Sequence, residues 1–323
     1  MTNQPMAPPV NQAMHSANQP LLIGKSPVII EILQKADLVA KSQAPILITG
    51  ESGTGKDIFA HLIHSKSDRR ARELVATNCA ALPKEVIDNE LFGHEREAFT
   101  GAHSTKHGCF ELADEGTLFL DEIAEMNPQS QAKLLRAIES QTFRRLGGSD
   151  DVRVNVRILA ATNKTISAAL ESGAFREDLY YRLSVIEIDM PPLRDHLGDV
   201  PLLLNHFLRF FSQKYAVPEK TFDLDCIELL SEFQWPGNVR ELRNVVERAV
   251  LICPHQEIGV KYLPERITLS KSISFTIPIQ VGTTLERAEK EIILHTLRAT
   301  SGNKAQAAKI LGISRRALYN KLE

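Results

Sequence analysis

The sequence predicts an α/β protein: a parallel sheet with helices on both faces, then a helical unit, then a small helical C-terminal domain. Three observations carry this. From about Leu21 to Met190 short apolar runs alternate with helix-like periods, the pattern of a parallel sheet covered by helices. Pro191 and Pro192 end the alternation, and from Leu193 to about Leu269 the periods are helical, with a break at WPGN (235–238). After a linker-like stretch, 270–283, the chain turns helical again from Leu285. The expected organisation is therefore a tail (1–20), an α/β unit (21–190), a helical unit (191–269), a linker (270–283) and a C-terminal domain (284–323).

Composition narrows the classes. A chain of 323 residues is long enough for two or three domains, and 43% hydrophobic with 24% charged residues is ordinary for a globular protein. The net charge of −2 excludes a general polycation, so any nucleic-acid surface must be local. Cys79, Cys109, Cys226 and Cys253 have no CxxC spacing and suit structural roles in a reducing compartment. There is no apolar run of about 18 residues and no secretion signal, so no membrane contact and a cytoplasmic location are expected. Residues 1–20, rich in Asn, Gln, Pro and Ala, cannot build a core and are expected to be disordered.

The first buried strand is PILITG (45–50), and the helix KDIFAHLIHS follows, with Ile58, Phe59, Leu62 and Ile63 on one face. Between them GESGTGKD (Gly50, Glu51, Ser52, Gly53, Thr54, Gly55, Lys56, Asp57) fits GxxxxGK. Such a loop wraps an anion with backbone N–H groups, the helix N-terminus adds a favourable dipole, and Lys56 reaches the β- and γ-phosphates. Asp57 stands where a Ser or Thr hydroxyl usually meets Mg²⁺. A carboxylate there is repelled by phosphates unless a metal lies between.

TLFLDE (117–122) is a second buried strand, ending in two carboxylates. Asp121 is expected to hold Mg²⁺ and Glu122 to polarise the attacking water; acids that simply cap a strand end are the alternative. SQAKLLRAIES (130–140) reads as helix, and VRVNVRILAATN (152–163) as an extended run that alternates and then turns apolar. Asn163, at its end, either aligns the water and senses the γ-phosphate or is a turn residue. In FREDLYYRL (175–183), Arg176 and Arg182 either reach a neighbouring subunit's γ-phosphate or form a solvated basic face. SVIEID (184–189) is another strand.

EAFTGA (Glu97, Ala98, Phe99, Thr100, Gly101, Ala102) sets a large apolar residue beside a turn-forming glycine, which suits a loop with a binding tip rather than a core segment. GNKAQAAKILGISRRALYNKLE (302–323) reads as helix, turn, helix: Ala307, Ala308, Ile310 and Leu311 look core-like, Gly312 permits the turn and Ser314 caps the second helix. Its basic residues Lys304, Lys309, Arg315, Arg316 and Lys321 face a single acid, Glu323. This points to DNA phosphates, with a plain helical hairpin as the alternative.

GESGTGKD, ELFGHEREAFTGA, GTLFLDEI, ATN, FREDLYYRL and WPGNVREL, in this order, resemble the AAA+ ATPase domain of bacterial sigma-54-dependent transcription activators, or enhancer-binding proteins, and the resemblance extends over residues 21–323. It implies an AAA+ P-loop ATPase with a helical lid and a Fis-type helix-turn-helix, using ATP and Mg²⁺. It implies a function: binding upstream activator DNA and using ATP hydrolysis to remodel the closed sigma-54 RNA polymerase holoenzyme complex into an open one. Residues 97–102 would touch sigma-54, through Phe99 and Thr100, and a second loop, around Glu125 to Gln129, would move with them. Glu97 departs from the family, which usually has Gly there. Asn78 would restrain the catalytic glutamate; Arg176 and Arg182 would act in trans in a ring, a hexamer of this chain or of this chain with a paralogue. Arg240 would sense nucleotide from the lid. Arg315, Arg316, Tyr319 and Asn320 would face the major groove. With about twenty residues ahead of the ATPase, control by a separate inhibitor or partner, or by expression, is expected rather than by a fused receiver. Rival readings are another AAA+ machine, with the AFTGA segment coincidental, and a DNA-binding repressor with a vestigial nucleotide site.

Overall fold

A computed structural model describes residues 22–81, 83, 86–269, 282–299 and 304–321. The expected tail and residues 270–281 of the expected linker lie outside the described residues. In chain order the elements are α1 (Pro27–Ala40), β1 (Ile46–Thr49), α2 (Lys56–Ser65), β2 (Leu74–Asn78), α3 (Ile87–Phe92), β3 (Gly93–His94), β4 (Lys106–His107), α4 (Cys109–Leu112), β5 (Thr117–Asp121), α5 (Pro128–Ser140), β6 (Thr142–Arg144), β7 (Asp151–Arg153), β8 (Arg157–Thr162), α6 (Ile166–Glu171), α7 (Glu177–Leu183) and β9 (Ile186–Asp189). Then come α8 (Val200–Lys214), β10 (Thr221–Phe222), α9 (Leu224–Glu232), α10 (Asn238–Ile252), β11 (Glu257–Ile258), α11 (Glu265–Thr268), α12 (Leu285–Ala299), α13 (Lys304–Ile310) and α14 (Arg315–Asn320). Two compact units result: Met1–Leu204 with Gln234–Asn244, and Asn205–Phe233 with Val245–Glu323.

The first unit holds a five-stranded sheet in the order β2-β5-β8-β1-β9, and every pairing in it is parallel. Successive side chains of a strand point to opposite faces, and the core divides accordingly. Ile46, Ile48, Phe119, Leu159, Ala161 and Ile188 pack with Ile32 and Ala36 of α1 and Phe59 and Ile63 of α2. Leu47, Leu118, Leu120, Ile158 and Ala160 pack on the other side with α3, α4, α5 and α7. Arg157 is the charged exception: 1% exposed, it donates to the carbonyls of Ala40 and Val39 at the end of α1, each at 2.7 Å.

The run 152–163 is not one strand. Residues 151–153 pair with β6 in a separate antiparallel hairpin, and 157–162 enter the parallel sheet. The break has a hydrogen-bond cause: Val154 N–H donates to Gln141 O at 3.0 Å, whereas Arg157 N–H donates to Gly116 O at 3.1 Å, so the chain changes partners between them.

In the second unit the buried Lys220 donates to the carbonyls of His255 (2.9 Å) and Cys253 (2.5 Å), just past the end of α10. Ile293, Ala307, Ala308 and Leu318 join α12, α13 and α14. Gly312 has φ 67 at the turn, and the Ser314 hydroxyl oxygen accepts from Ala317 N–H at 3.1 Å. One expected core residue is not in the core: Ile310, at the end of α13, is 52% exposed, because the helix turns it away from the buried Ala307–Ala308 face. All four cysteines are free and buried. Among the described residues no helix is long and apolar enough to cross a membrane.

Candidate active site

Parallel pairing sets the register that builds the site. Thr49 of β1 lies beside Thr162 of β8, and Asp121 of β5 beside Asn78 of β2. The residues just past these strand ends therefore share the carboxyl edge of the sheet, where open α/β sheets bind ligands.

The loop 50–57 begins there. Gly53 (φ 82) must be glycine, since a Cβ would lie 2.5 Å from Gly237 O. Gly55 (φ 91) is the left-handed N-cap of α2 and turns the helix's first N–H groups toward the loop interior. Lys56, 6% exposed, donates through Nζ to Gly50 O (2.8 Å) and Glu51 O (3.1 Å). Burial pushes the pKa of its ammonium down, against the opposing pull of Glu122 and Asp121. Burial likewise pushes the Asp121 carboxyl up, against Lys56. A buried cation facing two carboxylates beside a ring of N–H donors has the donor and charge set a Mg²⁺–nucleoside triphosphate requires. No group of three or more potential protein ligands for a metal exists among the described residues.

Glu122 takes φ 53, a left-handed conformation uncommon for a residue with a Cβ. Its Oε2 accepts from Asn163 N–H at 3.0 Å. Asn163 thus touches the Glu122 carboxylate through its backbone. Asn78, expected to restrain Glu122, donates through Nδ2 to Asp121 Oδ2 at 3.0 Å. Strand pairing dictates this, since Asn78 is the register partner of Asp121.

Arg194 and the first turn of α10 flank the loop and grip its Glu51, a feature the sequence did not announce. Arg194 grips the Glu51 carboxylate with two bonds, 2.6 and 2.8 Å, and Asn238 Nδ2 donates to it at 3.1 Å. Together they hold Glu51 down to about 2. Arg240 Nη1 donates to Ser52 Oγ at 2.8 Å, so this expected sensor does sit on the phosphate loop. The sequence contained one signal for Asn238, the WPGN break itself: Trp235 and Asn238 both take positive φ.

Arg176 and Arg182 lie on or beside α7 and are exposed. Arg176 is held by Asp178 of its own helix at 2.6 Å. Neither is hydrogen-bonded to the phosphate loop.

The AFTGA segment forms a finger, residues 95–105, on the short hairpin β3–β4 between α3 and α4. Phe99 is 47% exposed and sits edge-on to the His94 ring, centroids 5.0 Å apart. Thr100 and Gly101 are exposed. Ala102 is buried, 4% exposed, and its carbonyl accepts from Glu97 N–H at 2.8 Å, closing the loop's neck. Glu97 adopts φ 67.

The expected companion loop, around Glu125 to Gln129, joins a 3-10 turn to α5. Residues 123–125 form a tight 3-10 turn and Asn127 caps α5, its Oδ1 accepting from Ser130 N–H. The finger is braced by the β6–β7 turn. Glu95 N–H donates to Leu146 O and Leu146 N–H to Gly93 O, both at 3.0 Å. Arg145 bridges Glu95 (2.5 Å) and Glu111 (2.6 and 2.8 Å) and holds the Glu111 carboxyl down to about 2. His107 Nδ1 adds a contact to Glu111 at 2.7 Å.

For the DNA candidates, Arg315 is exposed and Tyr319 is 49% exposed, with Lys304 Nζ 4.4 Å from its ring centroid. The side chains of Arg316 and Asn320 lie outside what is described.

A parallel sheet, a phosphate loop and an acid pair at its carboxyl edge define a P-loop nucleotide hydrolase of the AAA+ kind. Residues 22–189 match the family model described as sigma-54 interaction domain, 194–276 the AAA+ ATPase lid domain, and 284–323 the bacterial regulatory protein, Fis family, model. The chain belongs to the family of sigma-54-dependent transcriptional activators with a DNA-binding helix-turn-helix, and its AAA+ domain implies an ATPase. It is 44% identical over 312 residues to the transcriptional regulatory protein ZraR of Escherichia coli (strain K12), covering 95% of this chain and 69% of ZraR. It is 44% identical over 308 residues to the regulatory protein AtoC of the same strain, covering 94% of this chain and 67% of AtoC. Among solved structures, NtrX from Brucella abortus in complex with ATP superposes with a TM-score of 0.75 at 32% identity, covering 97% of this chain and 71% of NtrX.

Proposed function

We propose that this chain binds upstream DNA, assembles with further copies or a paralogue into a ring, and uses ATP hydrolysis to convert the closed sigma-54 RNA polymerase complex into an open one. The observation that carries the reading is the meeting of Lys56, Asp121, Glu122 and Asn163 at one sheet edge, in a chain whose exposed Phe99 finger grows from the helices packed beneath that sheet.

In this reading the N–H groups of residues 52–57 and Lys56 bind the phosphates, and Arg240 senses them beside Ser52. Asp121 would hold Mg²⁺, which when bound would supply charge neutralisation at the phosphates. Glu122 accepts the proton of the attacking water. Its bond to Asn163 N–H is a parked arrangement, released when water and the γ-phosphate compete for the carboxylate. Asn78 acts through Asp121. It ends β2, and the chain continues from it to α3 and the finger, which gives the acid pair a route to Phe99. Arg176 and Arg182 serve a neighbour's nucleotide; Arg182 is exposed and Arg176 needs only to exchange Asp178. Residues 315–320 face DNA.

The decisive experiment is in vitro transcription with sigma-54 polymerase, hydrolysable ATP and a supercoiled template carrying a cognate promoter. Open complexes are expected with wild type and none with a chain lacking residues 97–102, while ATP hydrolysis survives in that deletion. Promoter melting unaffected by the deletion refutes the reading.

A further inference from the structure

We propose that Arg194 and Asn238 are positioning residues for the nucleotide: they draw the Glu51 carboxylate away from the phosphate cradle and match its charge. The proposal rests on reading residues 50–57 as the ATP site. Glu51 is the second residue of a loop that must accept a polyanion, and an unpaired carboxylate there repels the phosphates. The structure answers this with a bidentate guanidinium, at 2.6 and 2.8 Å, from 143 residues away in sequence. A planar fork of this kind neutralises and orients at once, which a lysine cannot do.

Asn238 fixes the same carboxylate from a second direction. It is fully buried, at φ 51. Its Oδ1 accepts from Leu193 N–H at 2.8 Å, next to Arg194 in the chain, and its Nδ2 donates to both Glu51 Oε2 (3.1 Å) and Ser52 O (3.0 Å). One amide therefore ties the phosphate loop to the segment that carries Arg194. The Glu51 carbonyl in turn accepts from Lys56 Nζ at 3.1 Å and from Thr54 Oγ1 at 2.9 Å. Anchoring the Glu51 side chain thus sets the peptide that aims the phosphate-binding lysine.

The test is titration of the full chain with a fluorescent N-methylanthraniloyl-ATP and Mg²⁺, at low and high salt. Arg194→Ala is expected to weaken binding about tenfold at low salt (about 1.4 kcal/mol), and the loss is expected to shrink as salt screens the freed Glu51 charge. Glu51→Gln combined with Arg194→Ala is expected to bind within about threefold of Glu51→Gln alone, because no charge is left to match. Arg194→Lys is expected to fall between wild type and Arg194→Ala. A merely structural role for Arg194 predicts neither the salt recovery nor the rescue. Wild-type affinity in Arg194→Ala, or a double variant as weak as Arg194→Ala, overturns the proposal. A wild-type chain that fails to bind the analogue overturns the ATP reading instead.

Discussion

Glu97, in the finger, takes a left-handed backbone conformation, and this makes the effect of its side chain a measurable quantity. At φ 67 a residue with a Cβ is strained by about 1–2 kcal/mol relative to the right-handed regions, and glycine is not. Glu97→Gly removes that strain. It also enlarges the unfolded chain's freedom, which costs about 0.4–1 kcal/mol. The Arg96–Glu97 pair, 3.3 Å apart with side chains 71% and 80% exposed, is worth about 0.2–1 kcal/mol at best. The three effects nearly cancel, so stability of Glu97→Gly alone says little. Glu97→Ala is the control: it loses the same ion pair but keeps the Cβ and the strain. Glycine is therefore expected to exceed alanine by about 0.5–1 kcal/mol, roughly 1–4 °C in the thermal midpoint of a unit this size. Calorimetry on the two variants side by side reads this difference. An alanine variant as stable as the glycine variant refutes the left-handed assignment. In function, Glu97→Gly is expected to keep ATP hydrolysis within about twofold and to capture sigma-54 as well as wild type or better. Complete loss of capture counts against this placement of the contact loop.

Three further expectations are sharp. Glu122→Gln keeps the side chain's shape and removes its basicity, so phosphate release should fall at least about 100-fold while nucleotide binding persists; hydrolysis within tenfold of wild type removes Glu122 as the base. Arg182→Ala subunits mixed into wild type should depress ATPase activity more than in proportion to their fraction, since one altered subunit disables a neighbour's site; a linear decline argues against shared sites. Glu111 is held down to about 2, first by its hydrogen bonds to Arg145, so its contribution to stability is full above the unfolded carboxylate value near 4.5 and is lost as pH falls from there toward 2. Denaturant midpoints between pH 5 and 2 should fall less steeply in Arg145→Ala than in wild type, and parallel slopes exclude Arg145 as the cause.

What the sequence made legible follows from how each feature is encoded. β1 and β5 stand out because their apolar runs are fully buried. β2 does not, because Leu74–Asn78 is an edge strand with exposed and half-buried positions and a polar end. The run 152–163 was legible as extended chain but not as two strands, since alternation reports side-chain faces and carries nothing about which backbone accepts each N–H. Ile310 shows the same limit on a helix: an apolar residue near a buried pair counts as core by spacing, and only the partner surface decides whether the stripe is wide enough to include it.

The site divides along the same line. Lys56, Asp121, Glu122 and Asn163 are each marked by a contiguous motif at a strand end, because the chemistry needs that residue type where a strand delivers it. What restrains them is not contiguous. Glu51 meets Asn238 across 187 residues, and Arg145 meets Glu95 across 50, pairings that exist only once the fold has closed. Both networks bind loops held largely by hydrogen bonds: a glycine-rich cradle, and a finger whose neck is closed by a few backbone bonds. A loop that must change shape with the nucleotide cannot be secured by a hydrophobic core, since burial is non-directional and would resist every movement equally. Discrete charge-assisted hydrogen bonds can be exchanged one at a time for phosphate or water at little net cost. This explains why the phosphate loop and the finger are fastened by Arg194, Asn238 and Arg145 from distant segments, residues that carry no local signature apart from the WPGN break at Asn238.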